Sequence, residues 1–419
     1  DGADGAPCAP PPGRCWVQQG TSAALCQLVL EDRSREGPRQ RARLPPSLWA
    51  EQIAPFLRFD APLPGMLYAF GGRNRRLGPI DSVEMLDTWH GIWVPCPPMP
   101  CRRAGSAAAV LPEGRLLVCG GYDTRGIVEG LLASCDIYDP CAERWAEGGA
   151  APLARARWGH GCAALGGKVY CVGGCALREP RGSQDFFMET LRSCEVFLPE
   201  EGRWEPCCPL QVPRSGSRVV DLGRDHLAAV GGCDDVFGRA EMLASVELFD
   251  TRTTTWSLLS TGLAEPRTTA AAVALDDRRI MVMGGAPSLS SVEVYNVPGV
   301  LRTSEGRCVE DEIGGDSTPK SIRDMSEGRM GCQAVAMKLP APGESFPRCA
   351  RSSVVVVGGE HGDQDWESEA NDLVRVFGNV LVWDVEAADW RSDGTIPPVP
   401  TPRTAMALCI APGRVPGHM

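Results

Sequence analysis

A strand-like apolar run ending in Gly-Gly occurs six times along this chain. The pairs are Gly71-Gly72, Gly120-Gly121, Gly173-Gly174, Gly231-Gly232, Gly284-Gly285 and Gly358-Gly359. Their first glycines lie 49, 53, 58, 53 and 74 residues apart. A unit repeated at such an interval buries its apolar faces against its own copies, which restricts the fold more than any other feature here. Each pair follows an apolar stretch, such as Leu67-Tyr68-Ala69-Phe70 or Val354-Val355-Val356-Val357. A variable loop comes next, then a run with alternating apolar character: SVEMLD (82–87), SCDIYD (134–139), SCEVFL (193–198), SVELFD (245–250), SVEVYN (291–296) and NVLVWD (379–384). Six residues past the end of five of these runs stands a tryptophan: Trp93, Trp145, Trp204, Trp256 and Trp390. In the fifth repeat that position is Arg302.

An arginine precedes the Gly-Gly by 16 or 17 residues in repeats two to five, as Arg103, Arg157, Arg214 and Arg267. Small residues follow it, as in Ala107-Ala108-Ala109-Val110. In repeat six the equivalent, Arg329, lies 29 residues upstream, so the segment near 338–353 reads as an insertion. A second insertion falls near 297–328. Each unit therefore predicts four short strands in an antiparallel meander, with glycine supplying tight turns. One such sheet cannot bury both of its faces alone. Sheets packed face to face around an axis can, which predicts an all-β, six-bladed propeller. The first Gly-Gly lacks its arginine-plus-small strand, and the segment Arg403–Ala411 has that pattern without a Gly-Gly after it. Residues 403–411 are therefore expected to enter blade one as its innermost strand, hiding two sheet edges.

Gly-Gly, an aromatic in an S-V-E-x-Y/F-D-like run, and a tryptophan six residues on closely resemble the Kelch repeat. The resemblance covers about 67–411. It implies a six-bladed Kelch propeller with four-stranded antiparallel blades. It also implies a protein-interaction platform, with enzymes and cofactor sites in a minority of the family. Residues 1–66 fall outside the repeats as an N-terminal arm whose first dozen residues suit disorder. A short amphipathic helix is expected near 44–57, weakly similar to the opening of an F-box. Residues 412–419 form a C-terminal tail.

Composition narrows the function. The formal net charge is −11 over 419 residues, so a direct nucleic-acid binder is not expected. No apolar run is long enough to span a bilayer as a helix. The chain begins at Asp1 rather than Met, which reads as a processed or incomplete product in which any targeting segment would be out of view. Nineteen cysteines occur without any C-x-x-C pair. Structural zinc is therefore not expected, and cysteines within apolar runs, such as Cys119 and Cys171, read as small buried hydrophobes. A cytoplasmic or other reducing compartment follows.

The chemistry of catalysis is not evident. The five tyrosines have places in the repeat, and the histidines form no H-x-H cluster. His160, early in an inner strand, reads as a packed, hydrogen-bonded side chain. No nucleophile elbow or P-loop is present. The acidic run around Asp363 and Asp365 lacks the spacing of a calcium loop. No enzyme, metal or cofactor is expected. Partner contacts are assigned instead to loops on one face. The candidates are Arg73, Arg75 and Arg76 in blade one, Asp363 and Asp365 in blade six, and apolar anchors Phe186, Phe187 and Phe237. Arg103, Arg157, Arg214, Arg267, Arg329 and Arg403 are expected to circle the channel mouth. There they either pair within the repeat or present guanidinium groups to an acidic peptide. The function expected is a protein-protein scaffold, or a subunit of a larger assembly. The alternatives are the substrate receptor of a ubiquitin ligase and an enzyme using the channel.

Overall fold

The computed structural model describes residues 16–17, 57–58, 65–88, 91–178, 188–235, 241–302, 308–311, 320–340, 350–361, 375–392, 394 and 396–411. Six four-stranded antiparallel sheets make the propeller. From the channel outward, blade two runs Ala107–Val110, Leu116–Cys119, Cys135–Asp139 and Arg144–Trp145. Blade three runs Gly161–Leu165, Lys168–Val172, Cys194–Leu198 and Arg203–Cys207, and blade four Arg218–Gly223, His226–Val230, Ser245–Asp250 and Thr255–Gly262.

Blade five ends on Lys320–Ser321, because a separate hairpin, Gly299–Arg302 with Cys308–Asp311, intervenes. Arg302 thus lies in that hairpin and not in the outer strand, where the repeat phase would put it. In blade six the first two strands lengthen to Gln333–Pro340 and Ala350–Val357. Of the expected helix near 44–57, residues 44–56 lie outside the described residues. Leu57 pairs instead as part of a two-residue strand, Leu57–Arg58 with Trp16–Val17.

Blade one is closed by the end of the chain. Ala407–Ala411 pairs antiparallel with Met66–Phe70, Phe70 opposite Ala407 and Met66 opposite Ala411. The strand expected from the sequence is present, and it takes up the backbone edge that Met66–Phe70 would otherwise leave open.

The spacing of the tryptophans is a matter of register. Each lies opposite the aromatic or leucine of the preceding strand: Leu86–Trp93, Tyr138–Trp145, Phe197–Trp204, Phe249–Trp256 and Trp383–Trp390. Ring centroids are 5.0–5.3 Å apart in the aromatic pairs. Four of the indoles also donate to a carbonyl in the link from the preceding blade: Trp93 to Pro397, Trp145 to Pro97, Trp204 to Ala151 and Trp390 to Arg323. The aromatic pair thus packs within its blade while the indole nitrogen reaches back to the link from the preceding one. The apolar core consists of six clusters, one per blade interface.

At the channel, a closed circuit of backbone hydrogen bonds runs once around the ring. Gly105 donates to Ala405, Ala405 to Gly331, Gly331 to Thr269, Thr269 to Gly216, Gly216 to Gly159, and Gly159 to Gly105, all at 2.8–2.9 Å. Each of the six residues sits at positive φ, from 50° to 66°. Glycine adopts that region freely, but a β-branched residue does so at a cost. Thr269 (φ 54°) is therefore strained, whereas a Cβ on Gly159 would meet Ser215 Oγ at 2.8 Å. Thr269→Gly is expected to stabilise the fold by roughly 0.5–1 kcal/mol and Gly159→Ala to destabilise it by more than that, read by denaturant unfolding. Truncation after Pro402 is expected to abolish the cooperative thermal transition, and truncation after Ala411 to preserve it.

Candidate functional site: the channel mouth

The arginine that precedes each inner strand is among the most buried large side chains of the molecule. Arg103, Arg157, Arg214, Arg267, Arg329 and Arg403 are 0–2% exposed. Arg214 shows the arrangement. One terminal nitrogen, Nη1, donates to the carbonyls of Gly231 (2.9 Å) and Ser245 (3.0 Å). The other, Nη2, donates to Ser245 Oγ (3.2 Å) and Glu247 Oε1 (2.7 Å). The first glycine of the Gly-Gly, and the Ser and Glu of S-V-E, are thus one guanidinium receptor. Arg103, Arg157 and Arg403 repeat these contacts with Gly120, Ser134 and Asp136, with Gly173, Ser193 and Glu195, and with Gly71, Ser82 and Glu84. Arg267 bonds Gly284, Ser291 and Glu293. In blade six Leu381 occupies the carboxylate position, so Asn379 and Glu327 take over for Arg329.

These six guanidinium groups point into the blades. Of the two readings, burial favours pairing within the repeat over a ring for an acidic peptide: their terminal nitrogens are bonded inside the repeat, and a peptide would have to break those bonds to reach them. Their electrostatics are those of a desolvated pair. Burial lowers Arg214, opposed by Glu247, and pushes Arg403 down to about 10. Burial also raises the Glu195 and Glu293 carboxyls, against the backbone N–H groups of Ala154 and Ala264 and the paired arginines.

Among the described residues, blades one and two expose apolar side chains in their mouth loops. Arg73–Asn74 and Gly78–Pro79 form a hairpin whose tip carries Arg75, Arg76 and Leu77, all exposed, with Leu77 at 61%. An Asx turn shapes the tip, Arg76 N–H donating to Asn74 Oδ1 at 3.0 Å. Arg73 is not at the tip. It pairs with Glu360 of blade six at 3.0 Å, and Thr404 accepts its backbone N–H. In blade two the corresponding loop holds a single helical turn, Gly126–Glu129, that leaves Val128 exposed. Phe186, Phe187, Phe237, Asp363 and Asp365 lie outside the described residues. Sequence reasoning missed Arg218, which starts the inner strand of blade four and reaches across the channel to the Cys332 carbonyl of blade six at 3.1 Å. Burial lowers its pKa. No repeat signal could have marked it, because its role depends on which strands face each other across the axis.

A family model for the KLHDC2/KLHL20/DRC7 Kelch-repeats domain matches residues 62–286, which is 225 of the 419 residues. The chain belongs to the Kelch-repeat family. Among relatives of this Kelch protein, the human Kelch-like protein 34 is 34% identical over 42% of the chain and 25% of its own length. Kelch-like protein 25 of Xenopus tropicalis is 27% identical over 68% of the chain and 41% of its own length. Alpha-scruin of Limulus polyphemus is 29% identical over 38% of the chain and 17% of its own length. The chain thus spans at most about two fifths of the length of these relatives. The solved structure of YjhT superposes with a TM-score of 0.53 at 15% identity, covering 79% of this chain and 97% of that one, and so shares the fold.

The buried clamp and the exposed tip respond differently to substitution. Arg214→Ala leaves Glu247 buried without a counter-charge and is expected to cost about 3–5 kcal/mol in chemical denaturation. Arg76→Ala is expected to stay within about 0.5 kcal/mol. Equal losses would show that the clamp does not hold the blade.

Proposed function

We propose that this Kelch propeller is a non-enzymatic scaffold that docks a partner protein at the channel mouth over blades one and two. The observation that carries this reading is the pairing of a ring whose recurring arginines are internally bonded with a hairpin tip that exposes Arg75, Arg76 and Leu77. Such a tip offers two cations and an apolar anchor on a rigid base, the composition of a binding loop. A partner segment with acidic groups around an apolar residue fits it. The face extends to Val128 on the neighbouring blade. Phe186, Phe187, Phe237, Asp363 and Asp365, which the sequence reading assigns to the same face, are proposed as further contacts. The arm 1–66 and the hairpin at 299–311 suit a subunit held in a larger assembly. No nucleic acid is proposed, in keeping with the net charge. Among the described residues, no helix is long and apolar enough to cross a membrane.

A second reading has one support. The chain is 30% identical over 40% of its length to an F-box/kelch-repeat protein of Arabidopsis thaliana, 41% of which is covered. It makes the propeller a substrate receptor of a ubiquitin ligase, with the arm as adaptor.

Crosslinking mass spectrometry on the protein isolated from its source tests both. A stoichiometric protein crosslinked to loops 73–81 and 122–133, and lost at least about tenfold on the combined change Arg75→Glu, Arg76→Glu and Leu77→Ala, supports the scaffold. Crosslinks from residues 44–57 to ligase components favour the adaptor. A chain isolated alone, with turnover of a co-purified small molecule, overturns both.

A further inference from the structure

We propose that Cys119, His160, Cys162 and Cys171 form a structural zinc site that joins blade two to blade three. Their ligand atoms all lie within 4.8 Å of one another. Cys119 Sγ is 3.4 Å from Cys162 Sγ and 3.6 Å from His160 Nε2. A tetrahedron of ligands about 2.3 Å from zinc has edges of about 3.8 Å, so small side-chain movements close the site. Three thiolates and one imidazole are a full tetrahedral set with no open position, which is the mark of a structural ion and not a catalytic one.

Two further observations point to a ligand. First, the hydrogen bond that His160 makes goes to the Cys119 thiol, and it leaves the other ring nitrogen unpaired among the described residues. His160 is 2% exposed. A buried imidazole so placed needs a reason that packing does not supply. Second, the four positions are special to one interface. The same places at the next interface hold Val172, Ser217, Val219 and Ala229. Across the five other interfaces, Cys332 is the one thiol at these positions, and no imidazole occurs. A merely small apolar requirement is met elsewhere by alanine and valine.

The ligands come from three strands and two blades. Cys162 and Cys171 are direct cross-strand partners, Cys119 ends the second strand of the preceding blade, and His160 stands just before the inner strand. Cys162 is half-buried on the innermost strand, which gives the ion a route in from the channel. Binding releases three thiol protons to solvent and leaves a charge of −1 on the site.

The test uses the full chain isolated under reducing conditions. Elemental analysis is expected to find one zinc per chain. Zinc-edge X-ray absorption is expected to show three sulfur neighbours and one nitrogen. Cys162→Ser is expected to weaken zinc retention at least about tenfold, while Cys141→Ser, at an exposed thiol, leaves it unchanged. Should Cys162→Ser fail to fold, the absorption spectrum of the unmodified chain decides. Protein that is folded, reduced and free of zinc, and that takes up none on addition of the ion, overturns the proposal. So does a Cys119–Cys162 disulfide in metal-free protein, which would make the pair a redox site instead.

Discussion

One buried arginine per blade holds this propeller together in two directions. Within its blade, the guanidinium of Arg214 ties the Gly231 carbonyl to Ser245 and Glu247, so the second and third strands are fixed at their mouth ends. Between blades, its backbone carbonyl accepts the N–H of Gly174 at 2.9 Å. The same inter-blade bond recurs from Gly72 to Arg103, Gly121 to Arg157, Gly232 to Arg267, Gly285 to Arg329 and Gly359 to Arg403. That contact explains the first glycine of each pair as well. A Cβ on Gly173 would stand 2.5 Å from the Arg214 carbonyl oxygen. A charge so deeply buried is tolerable only because every terminal nitrogen finds an oxygen. Blade six shows the rule by its exception: where Leu381 replaces the acid, Glu327 and Asn379 supply the oxygens from other positions.

Because the clamps and the circuit of positive-φ residues lie at one end of the ring, that end is rigid from the axis out to the Gly-Gly turns. The loops that leave the turns are then free to vary in length and composition without loosening the blades. The face therefore separates two tasks. Buried cations hold the frame, and the blade-one hairpin carries the exposed cations on which docking is proposed. The segment that leads into the C-terminal strand belongs to both, since Ala405 completes the circuit and Thr404 anchors Arg73. Ring closure thus positions the very loop on which docking is proposed.

Much of this was legible along the chain. The six Gly-Gly pairs, the phase of Trp93, Trp145, Trp204, Trp256 and Trp390, and the missing strand of blade one each follow from local pattern. Period-two alternation fixes which residues share a face, and the turn residues fix where strands end. The mutual role of Arg, Gly, Ser and Glu was visible as spacing but not as chemistry. In the linear sequence the arginines read as clamps, with a ligand-binding ring as the alternative, and burial separates these.

The sequence by itself determined the blade number, the strand order within each blade and the closing strand, because these depend on contacts between neighbours in a repeat. The tertiary structure decided three other matters: that the six arginines face inward, that Arg218 crosses the channel, and that Cys119 meets His160, Cys162 and Cys171. No C-x-x-C spacing announces that last cluster, since its ligands approach through cross-strand register and the packing of one blade on the next. Such contacts have no fixed separation along the chain, so only the closed ring brings them together.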